Sequence, residues 1–124
     1  MDKIDPEALD LLKEAGINFS YLQEFGIEPL CLADNLISSG LVINPEIKWV
    51  TFHGAFDYAY MVKVLTNQPL PQTTEQFIRL IKQFFPVMYD TKIIANEVDD
   101  VKGNSLQKLA NSLAVRPEIL TLTF

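Results

Sequence analysis

Cysteine and histidine are nearly absent from this chain of 124 residues: each occurs once, as Cys31 and His53. A single cysteine excludes an internal disulfide and fits a reducing compartment. A single histidine removes most zinc sites and most nucleophile–histidine–acid schemes. No apolar run approaches the ~20 residues a membrane helix needs. The first residues, Met-Asp-Lys-Ile-Asp, hold no apolar core of a signal peptide. There is no phosphate loop, no C-x-x-C pair and no nucleophile elbow, and no internal repeat or low-complexity stretch. The expectation is a soluble intracellular protein with no membrane partner.

Positive charge is also scarce. Ten Lys and Arg stand against sixteen Asp and Glu, a net charge of −6. The imbalance is uneven: residues 1–46 hold nine acids against Lys3 and Lys13, a net of −7, while residues 47–124 come to +1. Phosphate neutralisation needs Lys and Arg, so such a chain is a poor general nucleic-acid binder. RNA, if handled, is handled at one confined site through metal ions.

What is present suffices for one domain with a core, since 48% of residues are hydrophobic and 21% charged. Asp5-Pro6-Glu7 reads as a helix start, with Asp as cap, Pro at the first position and an acid in the first turn. Ala8, Leu11, Leu12 and Ala15 recur at helical spacing until Gly16. A short helix is expected over 21–25. A third starts at Pro29 and turns Leu32, Ala33, Leu36 and Ile37 to one face, and the apolar faces of these three helices read as plain core. Residues 47–52 are rich in β-branched and aromatic side chains and read as a strand. After Gly54, residues 56–65 form a helix apolar almost all round, hence a buried one. Thr73 and Gln76 make a capping-box pattern ahead of Phe77, Leu80, Ile81, Phe84 and Phe85. Pro86 ends that helix and 87–89 reads as a second strand. Asp99-Asp100 and Gly103 mark a loop. Asn104 with Gln107 caps a last helix carrying Leu106, Leu109, Ala110 and Leu113 inward. Strand, helix, helix, strand implies a right-handed crossover between parallel strands, a piece of a larger α/β sheet.

Asp57 is the most informative residue. It is an isolated carboxylate in an apolar, aromatic run just past a strand, and a buried charge needs a partner. The helix macrodipole is the partner that spacing favours. A metal ion at the edge of a parallel sheet is the alternative. His53 is expected as a packed, hydrogen-bonded side chain, with a general base as the alternative. Cys31, on an apolar helix face, reads as a buried structural thiol. Asp90 reads as a cap or as an ion pair with a nearby lysine, with a ligand role as the minority alternative. The Asp5-x-Glu7 pair is a helix start, since Pro6 lies between the acids and no β-like run surrounds them.

The ordered run Trp49-x-x-Phe52-His53-Gly54-x-Phe56-Asp57-x-x-Tyr60-x-x-Lys63-x-Leu65-Thr66 resembles the second exonuclease motif of the CAF-one/POP-two deadenylases. Its flanks agree: Asp10-Leu11-Leu12, Gly16-Ile17, Ser38-Ser39-Gly40, Phe84-Phe85-Pro86-x-x-Tyr89-Asp90-x-Lys92 and Lys102-Gly103. The resemblance runs from about Ile4 to Leu113.

This resemblance implies a partial ribonuclease H-like fold: α/β, helix-rich, one domain over 1–124, with two short parallel strands (47–52 and 87–89) joined by crossover helices. It implies a poly(A)-specific 3′→5′ exoribonuclease acting in mRNA deadenylation, releasing 5′-AMP with two divalent ions, Mg²⁺ by preference. Single-stranded poly(A) RNA rather than DNA, and the helical scaffold of the NOT complex, are the implied partners, in cytoplasm and nucleus. Asp57 is the implied catalytic, metal-ligating residue, while His53 matches a motif residue but not the family's catalytic histidine. Leu36 and Ile37 are the implied scaffold contacts. The family's other three carboxylates, two on a first strand and one in a last motif, have no counterpart here, and Ala55 and Phe56 stand where Gly and Tyr are usual. The chain alone is therefore expected to be inactive, as a fragment, a splice product or a degenerate copy. The alternatives are a non-catalytic module that binds the NOT scaffold, or an unstable fragment.

Overall fold

The computed structural model describes residues 6–98 and 105–115, without the side chain of Ala8. Expectations at Asp5, Asp99, Asp100, Lys102, Gly103 and Asn104 fall outside the described residues.

Seven helices and two strands follow one another among those residues. Helix α1 (Pro6–Glu14) has proline at its start and Glu7 in its first turn. Gly16 follows it at φ +94°, a left-handed backbone in which a side chain would be strained. Helix α2 (Phe19–Phe25) begins earlier than its apolar pattern suggests, because the Asn18 side chain accepts from the Tyr21 N–H and caps it. Helix α3 (Pro29–Ser38) carries proline at its first turn. Strand β1 (Lys48–Thr51), helix α4 (Ala55–Thr66), helix α5 (Thr74–Phe84) and strand β2 (Val87–Asp90) then form a strand–helix–helix–strand unit. The Thr73 hydroxyl accepts from the Gln76 N–H and caps α5, as its sequence predicts. Helices α6 (Thr91–Asn96) and α7 (Leu106–Ser112) complete the order. Helix α6 has no counterpart in the sequence reading, since it is one short turn and a half started by Asp90. None of the described helices is long and apolar enough to cross a membrane.

β1 and β2 pair in parallel, Lys48 opposite Val87 through Thr51 opposite Asp90. Each strand is four residues long, close to the spans the composition predicts. The core lies on one side of the sheet. Val42, Tyr58, Val62, Leu65, Ile81 and Phe85 are buried together, with Leu36, Trp49, Phe77 and Met88 packed against them. Phe85 is its centre: it is 0% exposed and meets Trp49 edge-on at 4.9 Å and Tyr58 at 5.1 Å between ring centroids. Two hydrogen bonds fix the long α3–β1 connection onto this core, Ile43 N–H to Phe84 O at 2.7 Å and Trp49 Nε1–H to Leu41 O at 3.2 Å.

Three expectations of burial are corrected. Helix α4 is buried only along Tyr58, Val62 and Leu65, a stripe at i, i+4, i+7. Its other side is open, with Phe56 77% and Tyr60 64% exposed. Helices α1 and α2 expose Leu11, Tyr21, Leu22 and Phe25, and α2 buries no residue. In α7 only Leu109 is buried, while Leu106 and Leu113 are exposed. The cause is common: apolar periodicity identifies a helix, but burial requires a neighbouring layer.

Candidate active site

The turn from β1 to α4 consists of Phe52, His53 and Gly54, and it is difficult for an unsupported chain to make. His53 sits at φ +60°, which costs a branched or bulky residue energy. Gly54 presses against Thr51 so closely that a Cβ there would meet the Thr51 Oγ1 and Cβ at 2.4 and 2.5 Å. Its N–H, and that of His53, have no partner within the strand or the helix. Asp90 supplies both partners from the end of β2. Its Oδ1 accepts from His53 N–H at 2.9 Å and from Lys92 N–H at 3.0 Å, and its Oδ2 accepts from Gly54 N–H at 3.0 Å. Asp90 thus caps α6 and ties the turn to the neighbouring strand at once. Partial burial by itself would raise its carboxyl, but the N–H donors of His53, Gly54, Lys92 and Ile93 outweigh that and hold it below the usual carboxylate range. Thr91 Oγ1–H adds a further tie to Thr51 O at 2.8 Å.

Between a cap and an ion pair, Asp90 is a cap, and the Lys92 ammonium stands 5.8 Å from the centre of the Phe52 ring. Both its oxygens are engaged by backbone donors, and among the described residues it belongs to no group of His, Cys, Asp or Glu side chains that could hold an ion.

Asp57 lies in the first turn of α4, just beyond the end of β1. The expectation of a buried acid is corrected: Asp57 is exposed, because α4 turns Tyr58 and not Asp57 onto the core. The side chain of His53 is exposed too, so the packed histidine expected from the sequence is also corrected. Its backbone, not its imidazole, makes the structural bond.

Tyr58 follows Asp57 and is buried, and its hydroxyl has no hydrogen-bond partner. The neighbouring Thr51 hydroxyl is turned toward Tyr89 O at 3.5 Å. Burial pushes the Tyr58 phenol above its ordinary pKa, the Thr51 hydroxyl offsets part of this, and the Asp90 and Asp57 charges add to the rise.

A metal site needs several such donors. Among the described residues no group of three or more His, Cys, Asp or Glu side chains stands together to hold an ion. Asp57 has the right chemistry for one oxygen ligand, but these residues do not make a two-ion centre.

The remaining predicted residues lie on α3. Leu36 is half-buried and packs against the core, while Ile37 is 45% exposed. Cys31 is exposed, which corrects the buried thiol. It lies about 200° around the helix from the buried Ala33, and its carbonyl accepts from the Asn35 amide at 2.9 Å. Sequence reasoning missed the Asp90 bridge and the unpartnered Tyr58 hydroxyl. The signal for the first was the Tyr89-Asp90-Thr91 run, which marks a cap but not its second set of donors. The second had no local signal.

Comparison with known proteins places these features. The pattern of the CAF1 family ribonucleases matches residues 31–121. The poly(A) ribonuclease pop2 of Schizosaccharomyces pombe is 43% identical over 115 residues, covering 92% of this chain and 34% of that protein. The probable CCR4-associated factor 1 homolog 7 of Arabidopsis thaliana is 40% identical over 109 residues, 88% of this chain and 39% of that protein. The chain thus spans about a third of the length of these relatives. Among solved structures, S. pombe Pop2p in its Mg²⁺- and Mn²⁺-bound form superposes with a TM-score of 0.84 at 42% identity, over 93% of this chain and 45% of that one. A yeast NOT1 MIF4G domain co-crystallised with CAF1 includes a chain matching with a TM-score of 0.77 at 27% identity, over 94% of this chain and 44% of that one.

Proposed function

The chain belongs to the CAF1 ribonuclease family, and from that premise we propose that it carries the second exonuclease motif of a poly(A)-specific 3′→5′ exoribonuclease, with Asp57 as the motif's metal-ligating carboxylate. Its helix-rich α/β arrangement with two parallel strands is that of a partial ribonuclease H-like fold. The observation that carries the reading is the setting of Asp57: exposed, at the start of α4, beyond the carboxyl end of a parallel strand. Ligands gather there in α/β folds. The relative bound to Mg²⁺ and Mn²⁺ supports a divalent ion, since both ions take carboxylate oxygen.

One carboxylate does not hold two ions, so the same reading makes the isolated chain inactive. An assay with A-tailed RNA and Mg²⁺ tests this by comparing the chain with Asp57→Ala. Neither is expected to shorten the tail. Shortening by the wild-type chain and not by the variant overturns the inactivity, while leaving Asp57 in its role.

A second reading rests on α3. Ile37 presents an exposed apolar side chain beside Leu36, which anchors the helix to the core. A relative is co-crystallised with the NOT1 MIF4G domain. This supports a scaffold-binding role, with Ile37 as the contact and Leu36 as its support, independent of catalysis.

A further inference from the structure

The side of α4 turned away from the core carries a pattern of its own. Phe56, Tyr60 and Lys63 recur at i, i+4 and i+7, each two residues before a member of the buried stripe of Tyr58, Val62 and Leu65. Two residues are about 200° of helical turn, so the two stripes lie on opposite sides of α4. Both rings are exposed. With Ala59 and Lys63 they wall a hollow of about 170 Å³, closed by Leu70 from the α4–α5 loop. A second hollow shares Lys63 and Leu70 and extends to Asn67 and Gln68. The N–H groups of Asn67 and Gln68 are used within the turn, on Val64 O and Thr66 Oγ1. Their side-chain amides make no hydrogen bond among the described residues.

We propose that this face is an adenine-binding subsite for single-stranded RNA, with one base stacked on Tyr60 in the smaller hollow and its edge read by Gln68. Three observations select that ligand. The smaller hollow lies below the ~300 Å³ at which pockets for whole small ligands begin, so it takes one planar ring system. Exposed aromatic rings are the platforms on which unpaired bases stack, and a purine covers more of a ring than a pyrimidine does. A carboxamide beside them donates and accepts at once, which matches N7 and the N6 amino group of adenine. Lys63 sets a cation on the same face, within the part of the chain that carries a net charge of +1. Phe56 directly precedes Asp57, and Tyr60 lies about 4.5 Å beyond Asp57 along the helix axis. A strand held at Asp57 therefore crosses Tyr60 as it runs along α4. The choice of RNA rests on the nuclease reading of Asp57, whereas the subsite itself rests on the rings and the amides.

The test measures fluorescence anisotropy of labelled oligo(A) and oligo(U) with the 124-residue chain, at low salt and in EDTA, so that no metal ion contributes. Oligo(A) is expected to bind about tenfold more tightly than oligo(U). Tyr60→Ala should weaken oligo(A) binding about tenfold and Tyr60→Phe should restore it, since stacking needs the ring and not the hydroxyl. Gln68→Ala should narrow the preference for oligo(A) about threefold and leave oligo(U) binding unchanged. All three variants should keep the wild-type melting temperature, because the altered side chains are exposed. The proposal is overturned if oligo(A) binds no better than oligo(U), or if Tyr60→Ala binds like the wild type. A chain that sediments as a dimer and binds no oligo(A) overturns it too, because the face then serves a second copy. Line broadening by Mn²⁺ in NMR spectra, without RNA, tests Asp57 separately. Broadening at Asp57 without a preference for oligo(A) removes the subsite alone; the preference without broadening keeps the subsite and removes the metal-ligand reading of Asp57.

Discussion

Asp90 commits both carboxylate oxygens to backbone donors on two separate elements, and this determines how it should respond to substitution and to pH. Removing it leaves the His53 and Gly54 N–H groups unpaired and uncaps α6. Asp90→Ala should therefore destabilise the chain by about 2 kcal/mol in urea unfolding, a cap plus a charge-assisted tie. The Asp90 carboxyl titrates lower in the folded chain than in the unfolded one. Its contribution is present above the ordinary aspartate value of about 4 and is lost as pH falls below it through the folded value. Wild type and variant should thus converge in stability on acidification from pH 6 to below pH 3; an undiminished difference there would contradict this assignment. Little of this was legible in advance. The capping of α6 is written into Asp90 and its immediate successors, but the two donors from the β1–α4 turn lie 36 and 37 residues away in sequence. The exposed His53 and Asp57 were misjudged for a related reason: an apolar neighbourhood in sequence says nothing about which side of a turn faces solvent.

At the scale of elements, starts and stops were readable because they depend on residues one to four positions apart. Thr73 caps α5, Gly16 follows the end of α1, and Pro29 opens α3, each where its chemistry requires. The missed start of α2 followed from overlooking Asn18, a good cap in front of an aromatic residue. Helix α4 shows what such rules omit. Its residues are apolar on nearly every side, yet only Tyr58, Val62 and Leu65 meet the core. Val62→Ala should cost about 2 kcal/mol through the cavity it leaves. Tyr60→Ala, on the open side, should change stability by less than about 0.5 kcal/mol. Equal losses in chemical denaturation of the two variants would mean that α4 is buried all round after all.

The molecule as a whole is a parallel pair of strands with helices packed on one side, and much of its apolar surface is uncovered. Its charge is equally lopsided, with the net of −7 gathered in the first 46 residues. The exposed Ile37, which falls within that acidic stretch of sequence, is the contact on which scaffold binding depends in the second functional reading. Ile37→Arg should abolish capture by a NOT1 MIF4G domain while leaving the melting temperature within a degree or two, because the side chain supports no core contact. Retention of binding by that variant would move the contact elsewhere on the chain.

The amino-acid sequence by itself determined the element order apart from α6, the parallel strand–helix–helix–strand unit and the family to which Asp57 and its neighbours point. These follow from periodicity, capping and motif order, all of which are local. Only the tertiary structure decided that Asp57 faces solvent, that Asp90 is a bridge between two elements, that Cys31 is outside the core, and that Tyr58 lacks a partner. Each of these depends on which distant backbone comes to lie alongside, and spacing along one chain does not encode that in any single window.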